Sequence, residues 1–196
     1  MLNLKTFFIR ERIGMLKLSD TYDILDPETK TQIGIAKERP GYLIHALRML
    51  IHKRLLPTAV FVYEGPSHED ESRLLFSIKR GVSLLRARVK ICDRAGNALG
   101  TMQSKIMSIG GAFTVYDTMN NEVASIKGDW KGWNFKVSDR AGIEIGTITK
   151  KWAGIGKELF TSADNYIISL DRAAGAETVR MILAACLAID VVYKEQ

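Results

Sequence analysis

Closely spaced cations are the residues of this sequence best suited to chemistry on an anionic ligand. Arg86, Arg88 and Lys90 alternate with Ala87 and Val89. In a β-strand this spacing places all three cations on one face. Three aligned cations can hold a phosphorylated group through charge-assisted hydrogen bonds. The basic stretch also includes Lys79 and Arg80. An ordinary solvated strand face is the alternative, and the sequence leaves both interpretations open.

A second basic group lies in an apolar segment near residues 41–55. The pattern predicts a short amphipathic helix that ends before Pro57. His45, Arg48 and His52 form a basic stripe on this helix, and Lys53 follows His52. Such a helix can lie in a membrane interface, or it can pack on the protein with its stripe in water.

Signatures of enzymes are sparse. Two of the three histidines lie seven residues apart on the predicted helix, which is not the spacing of a metal-ligand pair. No histidine partner is indicated for Cys92 as a nucleophile, and Cys186 lies in an apolar segment. We therefore expect no enzyme activity and no cofactor. We also expect no nucleic-acid partner, because no nucleic-acid-binding motif accompanies the basic charge.

The composition is that of an ordinary globular protein. The chain has 196 residues, a net charge of +6 and 46% hydrophobic residues, which excludes disordered and fibrous classes. The length predicts a single domain over residues 1–196. Two cysteines are too few for a disulfide scaffold, which favours a cytoplasmic location. The sequence contains no run of about 18 apolar residues that could span a bilayer.

A repeated pattern indicates β-hairpins. An alternating apolar run leads to an Asp, a turn and a second alternating run, and the Asp residues at 93, 117 and 139 fall 24 and 22 residues apart. Asp bonds the backbone amides ahead of it, and the Gly or Asn that follows tolerates positive φ. The repeat predicts a meandering antiparallel sheet, and a sheet of this length usually closes to remove its edges.

The C-terminal segment 176–194 predicts a helix of a different kind. Residues 181–189 are apolar on all sides, so the helix must be buried. Nine such residues are too few to cross a hydrocarbon core of roughly 30 Å. A β-rich chain with one such helix indicates a barrel wrapped around it.

Two stretches resemble a known family. Residues 145–166, IGTITKKWAGIGKELFTSADNY, look like the hallmark stretch of phospholipid scramblases, and residues 185–193, ACLAIDVVY, resemble the end of their C-terminal helix. The repeated hairpins are also similar to those of the LURP-one-related proteins of the Tubby C-terminal-like superfamily. This resemblance implies a mainly β fold, a closed antiparallel Tubby-like barrel of about twelve strands around the buried helix.

The resemblance also implies roles for individual residues. Scramblases are linked to calcium-dependent movement of phospholipids between leaflets, and the corresponding segment here offers Asp164, Asn165 and Asp171 as a weak Ca²⁺ site. Family members carry an acidic residue where this chain has Ser162. Tubby domains bind phosphoinositide headgroups on a basic surface. The nearest analogue here is the set of cations named above: Arg86, Arg88, Lys90, Lys79, Arg80, Arg48 and Lys53.

These observations lead to one main hypothesis and two alternatives. The main hypothesis is a non-enzymatic, scramblase-like domain that is cytoplasmic, peripheral on the inner membrane face and binds anionic phospholipids, with phospholipid scrambling as a further activity that the resemblance implies. One alternative is a soluble protein-interaction or regulatory module of LURP-one-related type without lipid activity. The other is a ligand-binding or enzymatic barrel, which the buried helix disfavours because it fills the interior.

Overall fold

The computed structural model describes residues 1–12, 19–41, 44, 56–82, 88–105, 111–129, 133–150 and 165–193. Within these ranges the chain forms twelve strands, one 3-10 turn at Glu71–Arg73 and one α-helix, α1, at Ala176–Tyr193. The helix predicted near 41–55, with Arg48 and Lys53, lies outside the described residues apart from Gly41 and Ile44. The strands are β1 Thr6–Glu11, β2 Thr21–Leu25, β3 Gln32–Glu38, β4 Thr58–Glu64, β5 Leu74–Arg80, β6 Arg88–Cys92, β7 Ala98–Ser104, β8 Ala112–Asp117, β9 Glu122–Asp129, β10 Asn134–Ser138, β11 Glu144–Thr149 and β12 Tyr166–Leu170.

The strands form a closed barrel. Each strand pairs antiparallel with its neighbours in the chain, and β1 pairs with β12 to close the ring. In the described part of the chain, no strand is therefore left as an open sheet edge. The closed antiparallel barrel of twelve strands around a C-terminal helix confirms the predicted fold class.

Asp side chains organise the tight turns. The Asp93 carboxylate accepts hydrogen bonds from the Asn97 backbone N–H at 2.8 Å and from the Asn97 side-chain amide at 3.0 Å. Residues with positive φ follow at the matching place in three turns: Gly96, Asn120 and Gly142. Asp117 and Asp139 accept the equivalent backbone bonds. The repeated aspartates are therefore turn residues, which satisfy backbone donors that a tight reversal leaves without a strand partner.

The antiparallel order gives the barrel two different ends. The short connections 26–31, 65–73, 93–97, 118–121 and 139–143 share one end with the link 171–175 into α1, and we call this the hairpin end. The connections 12–20, 39–57, 81–87, 105–111, 130–133 and 150–165 start and finish at the opposite end, which we call the long-connection end.

The helix fills the barrel. It enters from the hairpin end, and Val179, Ile182 and Leu183 have no solvent-exposed surface. Inward-facing strand residues such as Phe76 and Phe113 are equally buried and complete the core with α1. Gly100 on β7 allows close approach, because a Cβ at this position would collide with the Tyr116 carbonyl oxygen and with the Met181 methyl group.

Candidate functional site

The exposed cations of β5 and β6 form a cluster on the outer wall of the barrel. Lys79 on β5 lies directly opposite Lys90 on β6. Arg88 lies two residues before Lys90 and therefore on the same face. All three side chains are exposed, whereas Val89 and Ile91 between and after them are fully buried in the core. We call Lys79, Arg88 and Lys90 the wall cluster.

The wall cluster carries charge that no carboxylate neutralises within the described part of the chain. The residues opposite Arg88 and Lys90 on β7 are Gln103 and Thr101, which are uncharged. On the other side of β5, Lys79 lies opposite Ala59 on β4. Like charges directly opposite each other on neighbouring strands repel, so the pair of lysines favours an anion between them.

A second lysine pair provides a comparison. Lys127 on β9 lies directly opposite Lys136 on β10. Here the Lys136 ammonium donates to the Glu144 carboxylate at 2.8 Å, and this carboxylate raises the pKa of Lys136. In both pairs the lysines lie directly opposite each other on neighbouring antiparallel strands, but among the described residues a carboxylate relieves the repulsion in only one of them.

Arg80 does not belong with the exposed cations, contrary to the prediction that it contacts an anionic ligand. Its side chain points into the barrel, is 5% exposed and donates from Nη2 to the Leu56 carbonyl oxygen at 3.3 Å. Neighbouring residues of a strand point to opposite faces, so Lys79 and Arg80 cannot both face a ligand on the wall. Arg86, Arg48 and Lys53 lie outside the described residues.

The structure does not bring the candidate calcium ligands together. Asn165 precedes β12 at the long-connection end and is 3% exposed, whereas Asp171 follows β12 at the hairpin end. The five residues of β12 lie between them, and the six steps of extended chain span about 20 Å, so they cannot bind one ion. Asp171 instead accepts the Ala173 backbone N–H at 2.8 Å. Asp164 lies outside the described residues, among which no group of three or more His, Cys, Asp or Glu is arranged to hold a metal.

Sequence reasoning missed a group of polar residues buried at the C-terminal end of α1. Burial and the negative charge of Asp190 raise the pKa of Tyr22 and Tyr166 well above the usual value. Trp133 stacks on Tyr166 with ring centroids 4.6 Å apart, and the Lys150 ammonium lies 5.3 Å from the Trp133 ring. The signal in the sequence was Asp190 itself, a carboxylate directly after a run that must be buried.

A model of the scramblase family matches residues 70–196, which is well over half of the chain. The chain belongs to the scramblase family. No curated protein and no solved structure matches the chain significantly. Neither the described part of α1 nor any other described helix is long and apolar enough to cross a membrane.

The scramblase match covers β5 to β12 and α1. The wall cluster and its comparison pair, Lys127 and Lys136, both lie inside the match. The helix predicted near 41–55 and strands β1 to β4 lie before it. The part of the barrel that identifies the scramblase family is therefore also the part that carries the wall cluster.

The acidic connection 65–73 of this scramblase-family barrel folds back over the outer face of β3 and β4. The Arg39 guanidinium lies over the rings of Phe61 and Tyr63, at 5.4 and 5.2 Å from their centroids. It donates to Glu71 at 2.6 Å and to the His68 carbonyl oxygen at 2.8 Å. Arg39, directly after β3, thus holds the acidic connection.

Two pKa shifts follow from this contact. Burial, followed by the hydrogen bond from the Tyr63 hydroxyl to Glu71 at 3.1 Å, raises the pKa of Tyr63 to about 12. Burial and the charges of Lys37 and Arg39 lower the pKa of His68. A neutral His68 can accept a hydrogen bond at Nε2 from the Lys37 ammonium, and the two atoms lie 2.7 Å apart.

Proposed function

We propose that this scramblase-family barrel binds anionic phospholipid headgroups at the cytoplasmic face of a membrane, and that it does so without catalysing a covalent reaction. The observation that carries the proposal is the wall cluster, in which Lys79 and Lys90 face each other with no neutralising carboxylate among the described residues and Arg88 adjoins them. A phosphate group relieves this repulsion because each ammonium can donate to a different oxygen. Membership of the scramblase family supports a phospholipid as the source of that phosphate.

The location of the ligand on the wall follows from how the barrel is filled. Helix α1 occupies the interior with side chains that have no exposed surface, which leaves the outside of the barrel for a lipid. The anionic lipids of a cell are concentrated in the cytoplasmic leaflet, where they attract clustered Lys and Arg. We therefore propose a peripheral association that depends on charge.

The test compares two neutralised lysine pairs. The double variant Lys79→Gln/Lys90→Gln removes the unrelieved pair, and Lys127→Gln/Lys136→Gln removes the pair that Glu144 relieves. Each variant loses two positive charges from lysines that lie directly opposite each other on neighbouring strands. One cation close to an anionic surface improves partitioning roughly fivefold, so the first variant should bind anionic vesicles about 30-fold more weakly than the unmodified chain. The control variant should bind much more tightly than the first.

Flotation with vesicles of phosphatidylcholine and phosphatidylserine measures these affinities. Equal weakening by both variants would mean that net charge alone drives association. It would contradict a specific role of the wall cluster in binding. We expect chelation of calcium to leave binding unchanged, because Asn165 and Asp171 lie at opposite ends of β12. Absence of binding under every condition would favour the protein-interaction alternative.

A further inference from the structure

The acidic connection 65–73 lies against a small apolar cluster on the outer face of the barrel. Ile35 on β3 lies directly opposite Tyr63 on β4, and Tyr63 pairs in turn with Leu74 on β5. These side chains are buried although they lie outside the barrel core, and Phe61 packs against them. The connection itself, GPSHEDESR, contains no large apolar residue. Polar contacts must therefore hold it to this face.

The main polar contact places Glu71 in a small oxyanion site. Its carboxylate accepts hydrogen bonds from Arg39 Nη1 at 2.6 Å and from the Tyr63 hydroxyl at 3.1 Å. The Arg39 guanidinium is fixed by the aromatic rings beneath it and by its bond to the His68 carbonyl oxygen. The hydrogen bond from Arg39 lowers the pKa of Glu71, so the site favours a charged oxyanion. A phosphate group offers the same kind of acceptor oxygens, and the fork of an arginine matches its geometry.

This oxyanion site continues the wall cluster across the sheet. The Arg39 backbone N–H donates to the Ala59 carbonyl oxygen at 2.9 Å, which extends the pairing of β3 with β4 by one residue. Ala59 lies opposite Lys79, and Lys79 lies opposite Lys90. Because neighbouring strands lie about 4.8 Å apart, the Cα atoms of Arg39 and Lys79 are about 10 Å apart. The small Ala59 between them leaves room for a ligand surface that contacts both cations.

The contact between Arg39 and Glu71 is one that an external anion can replace. The two side chains are 37% and 60% exposed, and an exposed ion pair contributes little to stability because water solvates both charges. Glu71 follows Glu69 and Asp70 in the same connection. An anionic surface repels this acidic segment and attracts Arg39, so both effects favour the exchange of Glu71 for a group of that surface.

We propose that Glu71 is an internal competitor for an anion subsite at Arg39, and that the ligand which displaces it is the phosphate of an anionic phospholipid headgroup. The inference rests on the proposed function and deepens it, because it adds a second contact point beside the wall cluster. While Glu71 occupies the subsite, it neutralises Arg39 and limits the affinity of the chain for a membrane. When a headgroup displaces Glu71, Arg39 adds one cation to the row that contains Lys79 and Lys90.

Glu71→Gln tests this competition, and Glu69→Gln is its matched control. Both variants remove one negative charge from an exposed residue of the same connection, and of the two residues Glu71 is the one that bonds Arg39 in the described structure. One additional cation at an anionic surface improves partitioning roughly fivefold, so Glu71→Gln should bind phosphatidylserine-containing vesicles about fivefold more tightly than the unmodified chain. Glu69→Gln should gain less than about twofold, because solvent and salt screen its charge. Arg39→Gln/Glu71→Gln should return to the affinity of the unmodified chain.

Each outcome of these flotation measurements decides the inference. Equal gains in Glu71→Gln and Glu69→Gln would mean that the connection acts through its overall charge, and would overturn the competition while leaving headgroup binding intact. A gain that persists in Arg39→Gln/Glu71→Gln would assign the effect to movement of the connection and would also overturn a subsite at Arg39.

Two further outcomes separate the ligand and the proposed function from the competition itself. The gain in Glu71→Gln should persist in millimolar inorganic phosphate at constant ionic strength, and its loss would assign the subsite to a free anion and contradict a lipid headgroup. Failure of both the unmodified chain and Glu71→Gln to float would overturn the proposed function together with this inference.

Discussion

Tyr63 shows how a single hydroxyl can report on the contact between two parts of the barrel. It is fully buried on the outer face of β4, and it donates to Glu71 from the acidic connection that Arg39 holds in place. Burial is the first cause of its raised pKa, and the neighbouring carboxylate is the second. The hydroxyl therefore remains protonated well above the pH at which an exposed tyrosine ionises.

The pKa of Tyr63 gives a prediction at the residue scale. NMR of chains with ¹³C-labelled tyrosine should show ionisation of Tyr63 at a pH of about 12, and Glu71→Gln should lower this value because it removes the charge of the accepting carboxylate. Glu69→Gln, a neighbouring change without that hydrogen bond, should have a much smaller effect. Because the folded-state pKa lies above the unfolded value, this contribution to stability is fully present below a pH of about 10 and is lost as the pH rises through about 12. A Tyr63 that titrates like a free tyrosine would contradict the contact.

The basic residues of β5 and β6 show which side-chain positions the alternation within one strand predicts and which it does not. The alternation in 86–91 places Arg88 and Lys90 together and Val89 in the core, as the structure has them. The same rule separates Lys79, which is exposed, from Arg80, which is buried, although both are basic. That Lys79 faces Lys90 depends on the register of β5 against β6, which is a property of the sheet and not of either strand alone.

Gly100 allows strand β7 and helix α1 to pack closely against each other. A Cβ there would collide with a carbonyl oxygen of the neighbouring strand and with Met181 on the helix. Backbone atoms cannot yield as a flexible side chain can, so overpacking at this site must move the strand or the helix.

Gly100→Ala should therefore lower the free energy of unfolding by about 1–3 kcal/mol. Gly81→Ala is the matched control, because a Cβ at Gly81 meets no atom within 4 Å; we expect its effect to stay within about 0.5 kcal/mol. Chemical denaturation followed by circular dichroism measures both. Equal stability of the two variants would show that α1 does not press against β7 at this position.

The elements themselves were largely predictable from the sequence. The Asp turns fixed the hairpins β6–β7, β8–β9 and β10–β11, because each turn closes between two alternating runs. The apolar run 181–189 identified the buried helix, because a helix that is apolar on all sides needs a buried environment. The placement of Asn165 and Asp171 was not predictable, because their separation depends on the five residues between them forming strand β12.

At the scale of the whole molecule, the antiparallel order sorts the chain into two ends. Every connection from an odd to an even strand lies at one end and every connection from an even to an odd strand at the other. Successive connections along the chain therefore start and finish at alternate ends of the barrel. This grouping of distant connections follows from the closed sheet and is not visible in the sequence of any one strand.

Binding of the unmodified chain to vesicles tests the central claim most directly. We expect flotation with vesicles that contain phosphatidylserine and none with phosphatidylcholine alone. We also expect release at 1 M salt, because the screening length falls from about 10 Å at 0.1 M to about 3 Å. Binding to neutral vesicles that persists at high salt, or absence of binding to anionic vesicles at low salt, would contradict charge-dependent recognition of headgroups by this barrel.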